Sequence, residues 1–267
     1  MQRTILITGS TNGIGLETAK MLRSLGHNVL LHGRKPNKLA AAEKLLAALE
    51  SDGSVSGYVA DLSVMSDVEK LATVVSEEHP KLDVLINNAG VYMAEQTLNK
   101  QGLDVRFVVN TIAPYLLTQR LMPGLGIDSR VINISSAAQS PVELEEMIKP
   151  SGLLDFDAYA QSKLAITMWS RHMAHNLKDG PSIIAVNPGS MLGSKMVKEA
   201  FGVAGASLEI GAKVLTHASL DAGFAEASGQ YFDNDIGQFA SPHGDALDEQ
   251  KCTAVVDQIE LILQGLS

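Results

Sequence analysis

Short apolar runs alternate with helical patterns along most of this chain, and that alternation narrows the possible folds more than any other feature. Thr4–Ile7, residues 29–31, Val55–Val59, and residues 84–86, 131–134 and 183–186 form the runs, and Ser228-Gly229-Gln230-Tyr231-Phe232 looks like a last strand. Stretches such as 13–25, 38–49 and 67–77 carry the helical spacing between them, with Ser66 as the expected cap of the last and Glu69 at its capping-box position. These runs read as mostly continuous apolar stretches rather than alternating ones, as strands buried on both faces do. Such strands separated by helices of about 12 residues make βαβ units with right-handed crossovers. The expectation is one α/β domain, a doubly wound, seven-stranded parallel sheet flanked by helices on both faces. A stripe of Val255, Val256, Ile259, Ile262 and Leu263 predicts a packing helix over about 246–264.

Composition bounds the rest. The 267 residues allow one or two domains, and nine scattered prolines give no linker, so a single domain over 1–267 is expected. Lys and Arg number 21 and Asp and Glu 30, so 21 − 30 = −9, a charge that repels phosphate backbones and argues against nucleic acid as a partner. One cysteine, Cys252, excludes an internal disulfide framework and a cysteine-rich zinc site, and fits a reducing compartment. His172 and His175 are half a metal site at best, and no metal is expected. No apolar run reaches the length of about 18 residues needed for a transmembrane helix, and the start runs straight into a strand without a leader pattern. A cytoplasmic location is the expectation.

The first strand leads into Thr8-Gly9-Ser10-Thr11-Asn12-Gly13-Ile14-Gly15, which opens the first helix. A dinucleotide needs such a loop. Gly9 permits the tight turn, Gly13 lets the backbone approach a pyrophosphate, and Gly15 lets the helix pack close to the strand. The helix N-terminus supplies amide donors and a favourable dipole. Ser10, Asn12 and Ile14 complete the cradle, and the unit is Rossmann-type. The spacing G-x-x-x-G-x-G also occurs as an ordinary turn, so the loop needs company.

Two further motifs supply it. Asn87-Asn88-Ala89-Gly90 follows the fourth strand, and Tyr159-Ala160-Gln161-Ser162-Lys163 sits in a helical stretch. Tyr159 and Lys163, at i and i+4, share a helix face. A phenol near its usual pKa of about 10 is a poor base at neutral pH. A neighbouring ammonium is expected to lower that pKa and make Tyr159 a usable acid or base. A hydroxyl from Ser135-Ser136, at the end of a strand, can donate to a substrate oxygen where charge develops. Together with the glycine loop, these motifs resemble the short-chain dehydrogenase/reductase family, from about Thr4 to Gly189. The extended insert and C-terminal tail look more like its retinol dehydrogenase and protochlorophyllide reductase-like branch.

The resemblance implies a catalytic set of Asn110, Ser136, Tyr159 and Lys163, with Ser135 as the fallback hydroxyl. Asn110 would present its carbonyl to a proton-relaying water at a helix irregularity, and Pro114 removes the amide that would otherwise claim that carbonyl. Lys163 would also contact the nicotinamide ribose. Asp61 and Leu62 match the adenine position, Asn88, Ala89 and Gly90 the same crevice, and Pro188 and Gly189 the turn beside the nicotinamide. Ser194 is the nearest substitute for a threonine usual after that turn. Where an NAD site carries Asp or Glu at the end of the second strand, this chain has Gly33-Arg34. Arg34, with Lys38, makes a basic patch sized for one phosphate, so NADP(H) is favoured over NAD(H).

The insert 137–156 and the Gly- and Met-rich segment 190–206 face the substrate side. Met191, Met196, Val197, Phe201 and Val203 suggest an apolar lid, with ordinary packing as the alternative. Glu143, Glu145 and Glu146 are expected on solvated surface. The expected activity is a carbonyl reductase or alcohol dehydrogenase acting on a small molecule. The alternatives are an NAD(P)-binding sensor without turnover and a Rossmann-like methyltransferase. A homodimer or homotetramer is expected from the family's habit.

Overall fold

The computed structural model describes residues 1–266, and of Phe201 the backbone alone, so its side chain lies outside the described part. Strands β1 (Thr4–Ile7), β2 (Asn28–Gly33), β3 (Val55–Val59), β4 (Val84–Asn87), β5 (Arg130–Ile134), β6 (Ser182–Asn187), β7 (Tyr231–Asp233) and β8 (Gln238–Ala240) form one sheet. Their order is β3-β2-β1-β4-β5-β6-β7-β8. All neighbours pair in parallel except β7 and β8, which are antiparallel.

The helices are α1 (Gly13–Ser24), α2 (Pro36–Ala47), α3 (Met65–Glu78), the single turn α4 (Val105–Phe107), α5 (Ala113–Leu121) and α6 (Leu144–Ile148). There follow α7 (Asp155–Asn176), α8 (Lys195–Phe201), α9 (Leu208–Leu220), α10 (Ala222–Ala225) and α11 (Glu249–Leu266). Two cores lie on opposite faces of the sheet. Leu6, Leu85, Val131 and Ile183 face Val68, Leu117, Trp169 and Ile259, whereas Ile5, Ile7, Ile86, Ile132 and Val186 face Leu22, Leu39 and Leu215. Successive residues of one strand enter different cores, so the runs must be continuously apolar. Each fully buried Leu or Ile contributes about 1.5–3 kcal/mol.

Four expectations are corrected. The sheet has eight strands rather than seven, and it is not wholly parallel. After β7 the chain turns at Gly237, with φ +69°, and returns as β8, a strand of three residues too short to show periodicity. The stretch 228–232 reduces to a strand beginning at Tyr231, because Gly229 turns at φ +79° against His175. Ser66 does not cap α3, whose N-cap is Val64 without a side-chain bond. The C-terminal helix starts at Glu249, behind a 3-10 turn over Gly244–Leu247. None of the described helices is long and apolar enough to cross a membrane.

The strand order reverses between β1 and β4. In such sheets a crevice opens there, beyond the carboxyl ends of the strands. The glycine loop after β1, Asn88 after β4, Ser136 after β5 and Pro188 after β6 all stand at those ends.

Candidate active site

The glycine loop is wedged between β4 and β2. Gly9 has φ +65°, and a Cβ there would lie 2.8 Å from Ala89 Cα. At Gly15 a Cβ would sit 2.4 Å from Asn88 Nδ2, so α1 can start this close to the strand ends only with glycine. Gly13, at φ +60°, has nothing within 4 Å of a Cβ position and faces open space. Thr8 Oγ1 accepts from the amides of Asn88 and Ala89, both at 3.0 Å, and Asn88 Nδ2 donates back to Thr8 O at 2.8 Å and Gly9 O at 3.1 Å. The Asn-Asn-Ala-Gly segment therefore braces the loop. Asn87 points elsewhere, donating to Asn133 Oδ1 and Thr118 Oγ1 inside the core.

The first turn of α1 has no side-chain cap and no acidic residue, which leaves its amides and dipole for an anion. Exposed Asn12 is its N-cap. Ser10 is fully buried, with its Oγ accepting from His32 N at 2.9 Å, so it locks the loop from inside. Arg34 and Lys38 are exposed at the start of α2, which likewise has no acid in its first turn, and neither joins an ion pair among the described residues. Asp61 Oδ1 accepts from Ser63 N and Oγ, and Leu62 is buried. The crevice thus offers an open glycine, free helix amides and, at the start of α2, exposed cations outside any ion pair among the described residues, a set that fits a dinucleotide phosphate.

His32 was missed by sequence reasoning. It is 3% exposed in β2, its Nδ1 takes the Gly9 amide at 3.1 Å, and its Nε2 lies 3.1 Å from Ala60 O. A lone histidine in an apolar strand reads as core, and nothing local marks it otherwise.

On the other wall, α7 carries Tyr159 and Lys163. Lys163 Nζ lies 5.6 Å from the Tyr159 ring centroid and donates to Ile134 O at 2.7 Å. Burial lowers its pKa to about 7. Ser136 Oγ accepts from Ala138 N at 3.1 Å and stands near the Tyr159 hydroxyl, where it favours the phenolate. Ser135 turns inward instead, donating to Lys163 O at 3.1 Å and pairing with Thr167 Oγ1 at 2.7 Å. One expectation fails here. The Tyr159 pKa is raised, because burial disfavours the phenolate by more than Ser136 favours it. Burial likewise makes Lys163 harder to charge, which weakens its pull on the phenolate.

Asn110 lies in a π-helical segment, Val108–Ile112, between α4 and α5. The amide of Ala113 reaches back to Val108 O, the wider turn of a π-helix, and Pro114 follows without an amide. The fully buried Asn110 side chain accepts from Val91 N and donates to Val91 O and Ser162 Oγ. It pins the segment that leads to Tyr92, whose ring packs 5.0 Å from that of Tyr159. Arg106, 1% exposed, pairs with Asp104 and reaches Asp155 at the start of α7 at 2.6 Å. This pair ties the turn before Asn110 to the helix that carries Tyr159.

Pro188 and Gly189 form the turn after β6. Asp235 holds that turn, accepting from Ser190 N at 2.7 Å, from Ser190 Oγ and from Asn187 Nδ2. Ser194, the nearest substitute for the threonine usual after this turn, caps α8, its Oγ accepting from Val197 N at 3.2 Å. Glu146 is buried rather than solvated and accepts from Ser151 N at 2.9 Å. His172 lies near Thr253 and His175 against Gly229, and no metal-ligand group of three forms among the described residues.

Comparison with known proteins follows the same line. Residues 3–203 match the short chain dehydrogenase family. Human retinol dehydrogenase 13 is 30% identical over 261 residues, spanning 86% of this chain and 76% of its own length. The crystal structure of an uncharacterised protein from Mycobacterium paratuberculosis superposes with a TM-score of 0.82 at 26% identity, covering 98% of this chain and 94% of that one. A short chain dehydrogenase from Shigella flexneri, complexed with NADP, gives a TM-score of 0.68 at 25% identity, covering 87% of this chain and 96% of its own.

Proposed function

The chain belongs to the short-chain dehydrogenase family, and from that premise we propose an NADP(H)-dependent oxidoreductase that interconverts a carbonyl and an alcohol, with Tyr159 as its acid and base. The observation that carries this is the pair on α7, Lys163 Nζ 5.6 Å from the centre of the Tyr159 ring, one helical turn apart, with Ser136 at the end of β5 beside them. The relative solved with NADP supports the cofactor.

The first-turn amides of α1, with Gly9, Gly13 and Gly15, would hold the diphosphate. Arg34 and Lys38 would meet the 2′-phosphate, Asp61 and Leu62 the adenine side, and Asn88, Ala89, Gly90, Pro188 and Gly189 the far rim. A bound nicotinamide supplies the hydride. Ser136 donates to the substrate oxygen as negative charge builds there, and Tyr159 delivers its proton to the same oxygen. A phenol with a raised pKa stays protonated at neutral pH, which suits the acid of the reducing direction. Lys163, with a pKa of about 7, can give or take a proton near neutrality and refill Tyr159. Asn110 fixes the π-helical segment beside this relay.

NADPH oxidation measured over a panel of ketones and aldehydes tests the proposal. Turnover of at least one member should fall about 100-fold or more in Tyr159→Phe, with NADPH affinity retained. Equal turnover in the variant removes Tyr159 from the acid role. Tight NADPH binding with no turnover across the panel would favour a sensor.

A further inference from the structure

We infer that His32 is a positioning residue for the cofactor cradle, joining the three chain segments that line its adenosine half and acting on NADPH and NADH alike. The inference rests on the cofactor site proposed above. It comes from where the imidazole sits. Gly9 N donates to Nδ1, so Nδ1 carries the lone pair and Nε2 carries the proton that goes to Ala60 O. One ring therefore bridges the loop after β1 to the segment after β3, from a position in β2 two residues before Arg34. Ala60 directly precedes Asp61.

The backbone of His32 is tied in the same way. His32 N donates to Ser10 Oγ at 2.9 Å, and Ser10 N donates to His32 O at 3.0 Å. On its other side the loop abuts Ala89, which a Cβ at Gly9 would meet at 2.8 Å. The loop is thus stopped by Ala89 toward β4 and held by His32 toward β2. Removing the imidazole frees it in one direction, and a loosened cradle must be ordered again each time a cofactor binds. The ring is suited to this as a neutral group. Burial drives its pKa down to about 4, and a protonated Nδ1 would set N–H against the Gly9 N–H.

This role differs from that of Arg34, which would contact only the 2′-phosphate. It also separates the two ends of the ring. His32→Asn places an acceptor near the position of Nδ1 and keeps the Gly9 contact. His32→Gln places a donor near Nε2 and keeps the Ala60 contact.

Fluorescence titration of NADPH and NADH tests the inference without any substrate. His32→Leu and His32→Gln should weaken both cofactors by about tenfold, the size of one lost hydrogen bond to a preorganised site, while His32→Asn stays within about twofold of wild type. Arg34→Ala should weaken NADPH alone. Should His32→Leu fail to fold, the comparison of His32→Gln with His32→Asn carries the result. Equal binding by those two variants, or a loss confined to NADPH, overturns the role of His32 and leaves the cofactor site standing. A wild-type chain that takes up neither cofactor overturns the site and this inference together.

Discussion

On the rim proposed to hold the cofactor, the loop after β1, strand β2 and the segments after β3 and β4 hold one another through Thr8, Ser10, His32 and Asn88. On the rim proposed to face the substrate, the segment from Met191 to Ala206 closes on its own backbone. Gly193 N donates to Ala206 O at 2.7 Å and Ala206 N to Met191 O at 2.8 Å, a flap whose excursion is α8. Met191 itself takes φ +53°, a left-handed conformation that costs a non-glycine residue about 1 kcal/mol or more. The first rim is cross-braced between strands and the second is a loop with a pinned base. A rim that meets one fixed ligand gains from being ordered beforehand, because less freedom is lost on binding. A rim that meets a substrate can stay adaptable, with exposed Met191 and Val203 as its apolar surface.

The largest expected effect lies at the seam between the rims. Folding buries Lys163 and lowers its pKa from 10.5 to about 7, so between those values the unfolded chain binds the extra proton and wild-type stability rises with pH. Below pH 7 the full cost of burying the charge stands. Lys163→Met removes that cost and should be the more stable protein at pH 6, on the order of 5 kcal/mol, with the gap closing toward pH 10. A difference in thermal or denaturant midpoint that does not change with pH would show that Lys163 is not buried as described.

The next effect probes the braced rim. A Cβ on Gly33 would lie 2.4 Å from Thr11 Cγ2. Gly33→Ala should destabilise by about 1–3 kcal/mol and weaken cofactor binding, and adding Thr11→Ser, which deletes that methyl, should restore both. If Gly33→Ala behaves as wild type, the rim is softer than the packing implies. The smallest effect belongs to the flap. Val203 is 42% exposed, and Val203→Ser should change stability by less than about 0.5 kcal/mol. It should leave NADPH affinity alone and alter KM for the carbonyl substrate by a few-fold. A matching loss in NADPH affinity would erase the contrast between the rims.

The same contrast governs what could be read from the chain. Continuous apolar runs reveal buried parallel strands because both faces of each strand meet a core. The glycine spacing reveals the turn because Gly9 and Gly15 are demanded by local geometry. β8 was invisible because Gln-Phe-Ala carries no period, and its pairing depends on a turn at Gly237. His32 was invisible because its partners Gly9 and Ala60 lie 23 and 28 residues away. The direction of the Tyr159 shift was misjudged because the i,i+4 spacing to Lys163 says nothing about how deeply either group is buried. Glu146 and the pairing of Arg106 with Asp155, 49 residues apart, likewise arise from packing that no local pattern encodes.

The central claim is that this crevice moves a hydride from a nicotinamide to a carbonyl carbon under proton donation from Tyr159. Mass spectrometry of the alcohol formed from NADPH deuterated at nicotinamide C4 tests it most directly. With the transferred position labelled, the account predicts one deuterium on the product carbon with wild type, and the same label at a rate about 100-fold or more lower with Tyr159→Phe. Product without deuterium from either face of the nicotinamide, or equal rates for the two proteins, would contradict it.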